Sequence, residues 1–237
     1  MRAFAIKTSD YGKDLLMNWL FSILLSSGAF ASLNMTKGVT PMSHKIYDIH
    51  MLMFYVCSIV GVATFSVMFY ALLKHRKSLG VTPSKSRGNF TLEVLWTVIP
   101  MIILLALSYP AGKILLEMDE AKEAEVNILV SGIQWKWKYD YLDNGFSLYS
   151  NLSTSQDQIK GLEKKNENYL LEVDEPLVVP IHTHIRFLFT SKDVNHSWWV
   201  RDFGIKVDCI PGYINEGWAY IEKPGTYRGQ CTELCGV

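Results

Sequence analysis

The sequence has no excess of either charge: 23 lysines and arginines balance 23 aspartates and glutamates, for a formal net charge of zero. Without a basic surplus, binding to nucleic acid through the phosphate backbone is not expected. Charged residues are scarce overall, at 19% against roughly 25% in an ordinary soluble domain. Cysteine is scarcer still, with four residues, Cys57, Cys209, Cys231 and Cys235. Cys57 falls inside an apolar run, where a packed thiol is the natural reading, so it is assigned no chemistry. There is no internal repeat, which excludes a solenoid or propeller. What is abundant is apolar: 49% hydrophobic residues and 13% aromatics within 237 residues point to a membrane protein of one or two domains.

The first 31 residues read as a secretory signal. Arg2 and Lys7 lead, an apolar run spans 15–25, and Gly28, Ala29, Phe30 and Ala31 form a small-residue cleavage site. Residues 32–116 are predicted to form a transmembrane helical hairpin. Its first span, 51–73, contains no formal charge and supplies about 35 Å of helix, enough to cross the hydrocarbon core. Its second, 92–116, carries Glu93 near its start and two prolines, Pro100 and Pro110, which membrane helices tolerate with kinks. The linker between them holds Lys74, Arg76, Lys77, Lys85 and Arg87 and no acid. It is therefore placed on the cytoplasmic side, with everything after residue 116 exported.

That exported part, 117–237, is long enough for one compact domain. Alternation at Val126, Ile128 and Val130 leads into the aromatic segment 134–141. Residues 144–168 are polar and read as a surface loop. Strands are expected over 169–173 and 177–179, around Ile185, Phe187 and Phe189, and over 217–221 and 226–230, the last two joined by a Pro224-Gly225 turn. Short strands without a convincing amphipathic helix argue for a β-sandwich or barrel.

The residues with metal chemistry are at the end of the chain. Cys231 and Cys235 bracket Glu233, and two thiolates at that spacing converge on a soft or borderline cation such as copper or zinc. A disulfide is the alternative at equal weight in an exported domain. A buried metal site draws ligands from more than one segment, and His196, placed in a loop after a strong strand, is the best second contributor. His182 and His184, two residues apart, would share one face of a strand and are read as ordinary polar side chains.

Five motifs occur in order: Thr91 to Pro100 with Glu93 and Trp96; Gln134, Trp135, Lys136 and Trp137 with Tyr139 and Tyr141; Asp193 to Trp198; Lys206 to Gly212; and Gly229 to Gly236. Together with the signal, hairpin and β domain they resemble cytochrome c oxidase subunit II over nearly the whole mature chain. The resemblance implies a membrane-anchored, all-β architecture in which the transmembrane hairpin precedes a cupredoxin-like β-barrel bearing a binuclear copper centre, CuA. Cys231 and Cys235 would bridge two copper ions, His196 would bind one, and Glu233 would contribute its backbone carbonyl. The Glu233 side chain would reach a magnesium ion shared with subunit I. Trp135 would take electrons from cytochrome c, and Glu93 would sit at the mouth of a proton channel into subunit I, where oxygen is reduced at haem.

The implied partners are subunit I and the other oxidase subunits, cytochrome c and the lipid bilayer, with no nucleic acid. The signal peptide favours a bacterial inner membrane, with the β domain in the periplasm, over a mitochondrial one. Asp140, Asp143, Asp193 and Asp208 could form an acidic docking patch, which Lys136, Lys138 and Lys192 dilute. In the family, the loop continues past the second cysteine to a histidine, a methionine and a last strand, whereas the sequence ends at Val237. An incomplete sequence is expected on that account. The alternatives are a copper-free structural subunit of a quinol-oxidase type, a truncated product, and a membrane-anchored β domain with a Cys231–Cys235 disulfide.

Overall fold

Long apolar runs satisfy their own backbone groups as helices, and the computed structural model has two such helices among the described residues. It describes residues 34–80, 82, 88–119 and 123–236, so the expected signal peptide over residues 1–31 lies outside the described residues. Helix α1 is Pro41–Lys74 and helix α2 is Phe90–Asp119, both long and apolar enough to span a bilayer. Thr40 caps α1: its side chain accepts from the Ser43 N–H while Ser43 reaches back to the Thr40 N–H, and Pro41 starts the helix where no amide donor is needed. α2 runs unbroken through Pro100 and Pro110. In the linker, Lys77–Leu79 forms a single 3-10 turn.

The chain from Lys37 onward clusters as one unit. The Thr40 hydroxyl donates to the Phe203 carbonyl at 2.8 Å, and the Val39 N–H donates to the Asp202 carbonyl at 2.8 Å. The cap of the first membrane helix is thus anchored in the β domain. Lys45 of α1 pairs with Glu117 at the end of α2, bracing the two helices where they meet that domain.

Among the described residues the β domain has eight strands in two sheets. β1 (Val126–Ile133), β2 (Lys136–Tyr141), β3 (Phe146–Asn151), β4 (His184–Ser191) and β7 (Asn215–Tyr220) form one sheet in the order β3-β2-β1-β4-β7. β5 (His196–Val200), β6 (Ile205–Cys209) and β8 (Gly229–Cys231) form the other, in the order β6-β5-β8. β1 pairs in parallel with β4; the other pairings are antiparallel. Ile128, Val130, Ile185, Phe187 and Phe189 on the central strands are fully buried. The Trp198 ring from the second sheet packs 5.3 Å from Phe187 and 5.5 Å from Phe189, centroid to centroid. Its indole N–H donates to the Tyr139 hydroxyl at 3.2 Å, so the large core aromatic carries a satisfied polar group. Burial pushes the Tyr139 phenol up to about 12. This two-sheet domain behind a membrane hairpin is the cupredoxin-like, membrane-anchored architecture expected above.

Local expectations needed correcting. The polar stretch 144–168 is not all loop: β3 occupies Phe146–Asn151, and a short helix α3 covers Gln156–Ile159. β3 is an edge strand with mostly exposed side chains, so its polarity reflects position in the sheet rather than lack of pairing. Residues 169–173 and 177–179 are not strands, apart from an isolated bridge between Leu152 and Val173. There the backbone is held by a side chain instead. Asp174 accepts from the Asn151 N–H at 2.7 Å and from the Asn151 side-chain amide at 2.8 Å. The Asn151 side-chain bond leads the interactions that lower the Asp174 pKa. A carboxyl lowered on folding contributes stability above its unfolded value of about 3.9 and loses it as pH falls through the folded value. Hydrogen exchange at the Asn151 and Ser153 amides, corrected for intrinsic rate, should therefore accelerate on acidification below about pH 4. Unchanged protection down to pH 2 would show that Asp174 is not the anchor.

Candidate metal centre

Strand alternation and register assemble the site. His196 is the first residue of β5, not part of a loop as expected, and it is 3% exposed. His196 and Trp198 share one face of β5, and Trp198 lies opposite Cys231 on β8. Beyond β8 the chain curls, with the Thr232 N–H donating to the Ser197 carbonyl at 3.0 Å, and brings Cys235 back toward Cys231. The Cys231 and Cys235 sulfurs are 4.0 Å apart, and the Cys231 sulfur is 3.9 Å from His196 Nδ1 and 3.7 Å from the Glu233 carbonyl oxygen. The nitrogen and two sulfurs all lie within 4.8 Å of one another.

These distances discriminate between the two readings of the cysteine pair. A disulfide needs sulfurs at about 2.05 Å. Donors each about 2.3 Å from a common tetrahedral centre are separated by about 3.8 Å. The observed geometry fits a shared cation, and two soft sulfurs with one imidazole form a donor set suited to copper. Burial, and then the adjacent Cys231, hold the Cys235 thiol above its usual range. A cation placed between the sulfurs reverses that balance, since metal binding expels the thiol protons.

The imidazole is oriented from behind. His196 Nε2 lies 2.8 Å from Asp193 Oδ1, so an Nε2–H donated to the carboxylate leaves the Nδ1 lone pair facing the sulfurs. Burial opposes ionisation of Asp193, but bonds from the Gln134 N–H and then from His196 outweigh it and bring its pKa to about 2. Trp137 stands edge-on to the imidazole at 5.8 Å, and Gly132 of β1 backs directly onto it.

Trp135 lies in the β1–β2 turn rather than in a strand, 61% exposed, with its ring against Gly236. Glu233 is exposed beside the cysteines, and its carboxylate accepts from the Leu234 N–H at 3.1 Å. Glu93 is in the first turn of α2, at the opposite end of that helix from the β domain, and does not join the cluster. His184 belongs to β4 while His182 precedes it at φ 55°, so the two do not share a strand; both rings pack on Tyr220. Cys209, paired across from His196, is fully buried, and burial raises its thiol to about 12. It is a neutral core side chain. Sequence reasoning missed the roles of Asp193, Gln134 and Gly132. Only the three-residue offset between Asp193 and His196 hinted at any of them.

Known proteins resemble this chain in sequence. Residues 126–237 match the family described as cytochrome c oxidase subunit II, periplasmic domain, and residues 28–114 match its transmembrane domain. A probable cytochrome c oxidase subunit 2 of Rickettsia bellii is 33% identical over 221 residues, covering 91% of this chain and 81% of that one. The chain belongs to the cytochrome c oxidase subunit II family. The cytochrome c oxidase subunit 2 of Candida albicans is 36% identical over 195 residues, covering 82% of this chain and 73% of the relative. The solved periplasmic domain of subunit II of cytochrome oxidase from Bradyrhizobium japonicum aligns at 39% identity and a TM-score of 0.44, covering 50% of this chain and 79% of that one. Membership makes the chain subunit II of a haem-copper oxidase, associated with other oxidase subunits, and the family implies a CuA centre. Among the described residues, His196, Cys231 and Cys235 form a group whose donors could hold a metal ion.

Proposed function

We propose that this chain accepts electrons from a cytochrome c at Trp135 and delivers them, through two copper ions held by His196, Cys231, Cys235 and the Glu233 carbonyl, to haem in subunit I. The observation that carries this reading is the convergence of one imidazole nitrogen and two thiol sulfurs next to an exposed tryptophan. When bound, copper held by His196, Cys231, Cys235 and the Glu233 carbonyl would supply a redox site that takes up and passes on one electron with little change of shape. The chain's own residues prepare for it. Asp193 holds the His196 proton on Nε2; Cys231 and Cys235 release their protons as the cation binds; and Gly236, without a side chain, lets the Trp135 ring close on the cysteine loop.

The exposed Glu233 carboxylate, a hard oxygen donor, suits a magnesium ion shared with subunit I. Glu93 would collect protons at the other end of the hairpin, as an ionisable group at a membrane boundary does. We assign the chain to a bacterial inner membrane with its β domain in the periplasm.

Trp135→Phe separates electron acceptance from metal binding. Copper content should stay at the wild-type level, while transfer from reduced cytochrome c, followed by stopped-flow, should slow roughly 10- to 100-fold, as expected when a reacting contact is displaced by ~1 Å. Unchanged transfer would place the docking face elsewhere.

A further inference from the structure

We propose that Gln134 is a positioning residue that locks the cysteine loop to the histidine side of the metal centre, an inference that rests on the copper reading above. The residue occupies the turn between β1 and β2, immediately before Trp135. Its backbone N–H donates to Asp193 Oδ2 at 2.7 Å, and its side-chain Nε2 donates to the Cys235 carbonyl oxygen at 2.8 Å. The other Asp193 oxygen lies 2.8 Å from His196 Nε2. One residue therefore gathers three segments remote in sequence: the tryptophan turn, the loop that orients the imidazole and the loop that carries the second thiol.

A second tie holds the loop at Cys235. The Thr232 N–H bond to Ser197 fixes the chain before the metal-binding turn, while Cys235 comes three residues later, next to the exposed Gly236. Gly236 has φ +106°, and a Cβ there would lie 2.6 Å from Gln134 Nε2, so its backbone rests directly against the amide. The chemistry of residue 134 follows from its partner. A carbonyl oxygen requires a donor, which glutamate at neutral pH does not supply, and asparagine is one methylene too short. Without the amide, the Cys235 carbonyl loses this bond and the thiol beside it is less firmly preorganised toward Cys231.

The test uses the purified full chain in detergent micelles, titrated with Cu(I) against a chromophoric Cu(I) chelator. Gln134→Met keeps nearly the same length and removes the donor; it should weaken Cu(I) binding roughly 10- to 100-fold, the usual effect of removing a group that supports a ligand. Gln134→Lys places a donor on a chain long enough to reach the same carbonyl and should restore most of the affinity. Wild-type affinity in Gln134→Met would overturn the role of Gln134 while leaving the copper reading intact. A wild-type chain that takes up no Cu(I) would overturn the copper reading and this inference with it. Loss of the tryptophan near-ultraviolet dichroism in both variants would make Gln134 a folding residue and overturn its positioning role.

Discussion

Cys235→Ser should abolish the mixed-valence copper spectrum and cytochrome c oxidation together, leaving both at background. A serine hydroxyl stays protonated at neutral pH and is a hard donor, so it cannot take the place of a bridging thiolate on copper. The substitution is nearly isosteric and the side chain is only partly buried, so the two-sheet core keeps its packing. Loss of function with an intact fold is therefore expected, and circular dichroism beside electron paramagnetic resonance and oxygen uptake measures both. An intact copper spectrum in the variant would remove Cys235 from the ligand set. Cys209→Ser provides the contrast: it buries a hydroxyl where a thiol is fully enclosed, so its first effect should be on stability.

The second large effect is steric. In Gly132→Ala the new methyl would lie 2.5 Å from His196 Cδ2, 2.7 Å from Cγ and 2.9 Å from Cβ. These atoms belong to the buried base of the imidazole, not to the far end of a flexible side chain, so either the ring or strand β1 must move. Overpacking of this kind costs about 1–3 kcal/mol, which lowers the melting midpoint by roughly 2–12 °C in a chain of this size. Displacement of the imidazole adds a loss of copper affinity. Gly112→Ala in α2, where a Cβ meets nothing within 4 Å, should change neither quantity. Equal melting and copper binding in Gly132→Ala and wild type would mean that His196 is not held against β1 as described.

The hairpin was legible because it depends on composition over long windows: apolar runs with a basic linker leave a helical span as the only way to satisfy backbone groups in lipid. The central strands were equally plain, since Ile128, Val130, Ile185, Phe187 and Phe189 alternate and all five become fully buried. Edge elements were harder. β3 is mostly exposed because it lies at the edge of its sheet, while 169–173 and 177–179 have strand-like composition but join no sheet, being held by one bridge, the Asp174 anchor and the Tyr141 hydroxyl, which bonds both backbone groups of Val178.

The same division holds at the site. Residue type and spacing singled out Cys231, Cys235 and His196 as candidate ligands, because donor softness is a property of the chain, whereas Trp135 stood out only through the resemblance carried by the motif order. Only the tertiary structure brought the two sulfurs to 4.0 Å, a separation that suits a shared cation better than a disulfide and that is set by the pairing of β5 with β8. It also decided that Asp193 orients the imidazole, that Gln134 reaches Cys235 across 101 residues of sequence, and that Gly132 makes room for the ring. Hydrogen bonds and close contacts between distant segments depend on which strands become neighbours, and no local periodicity records that.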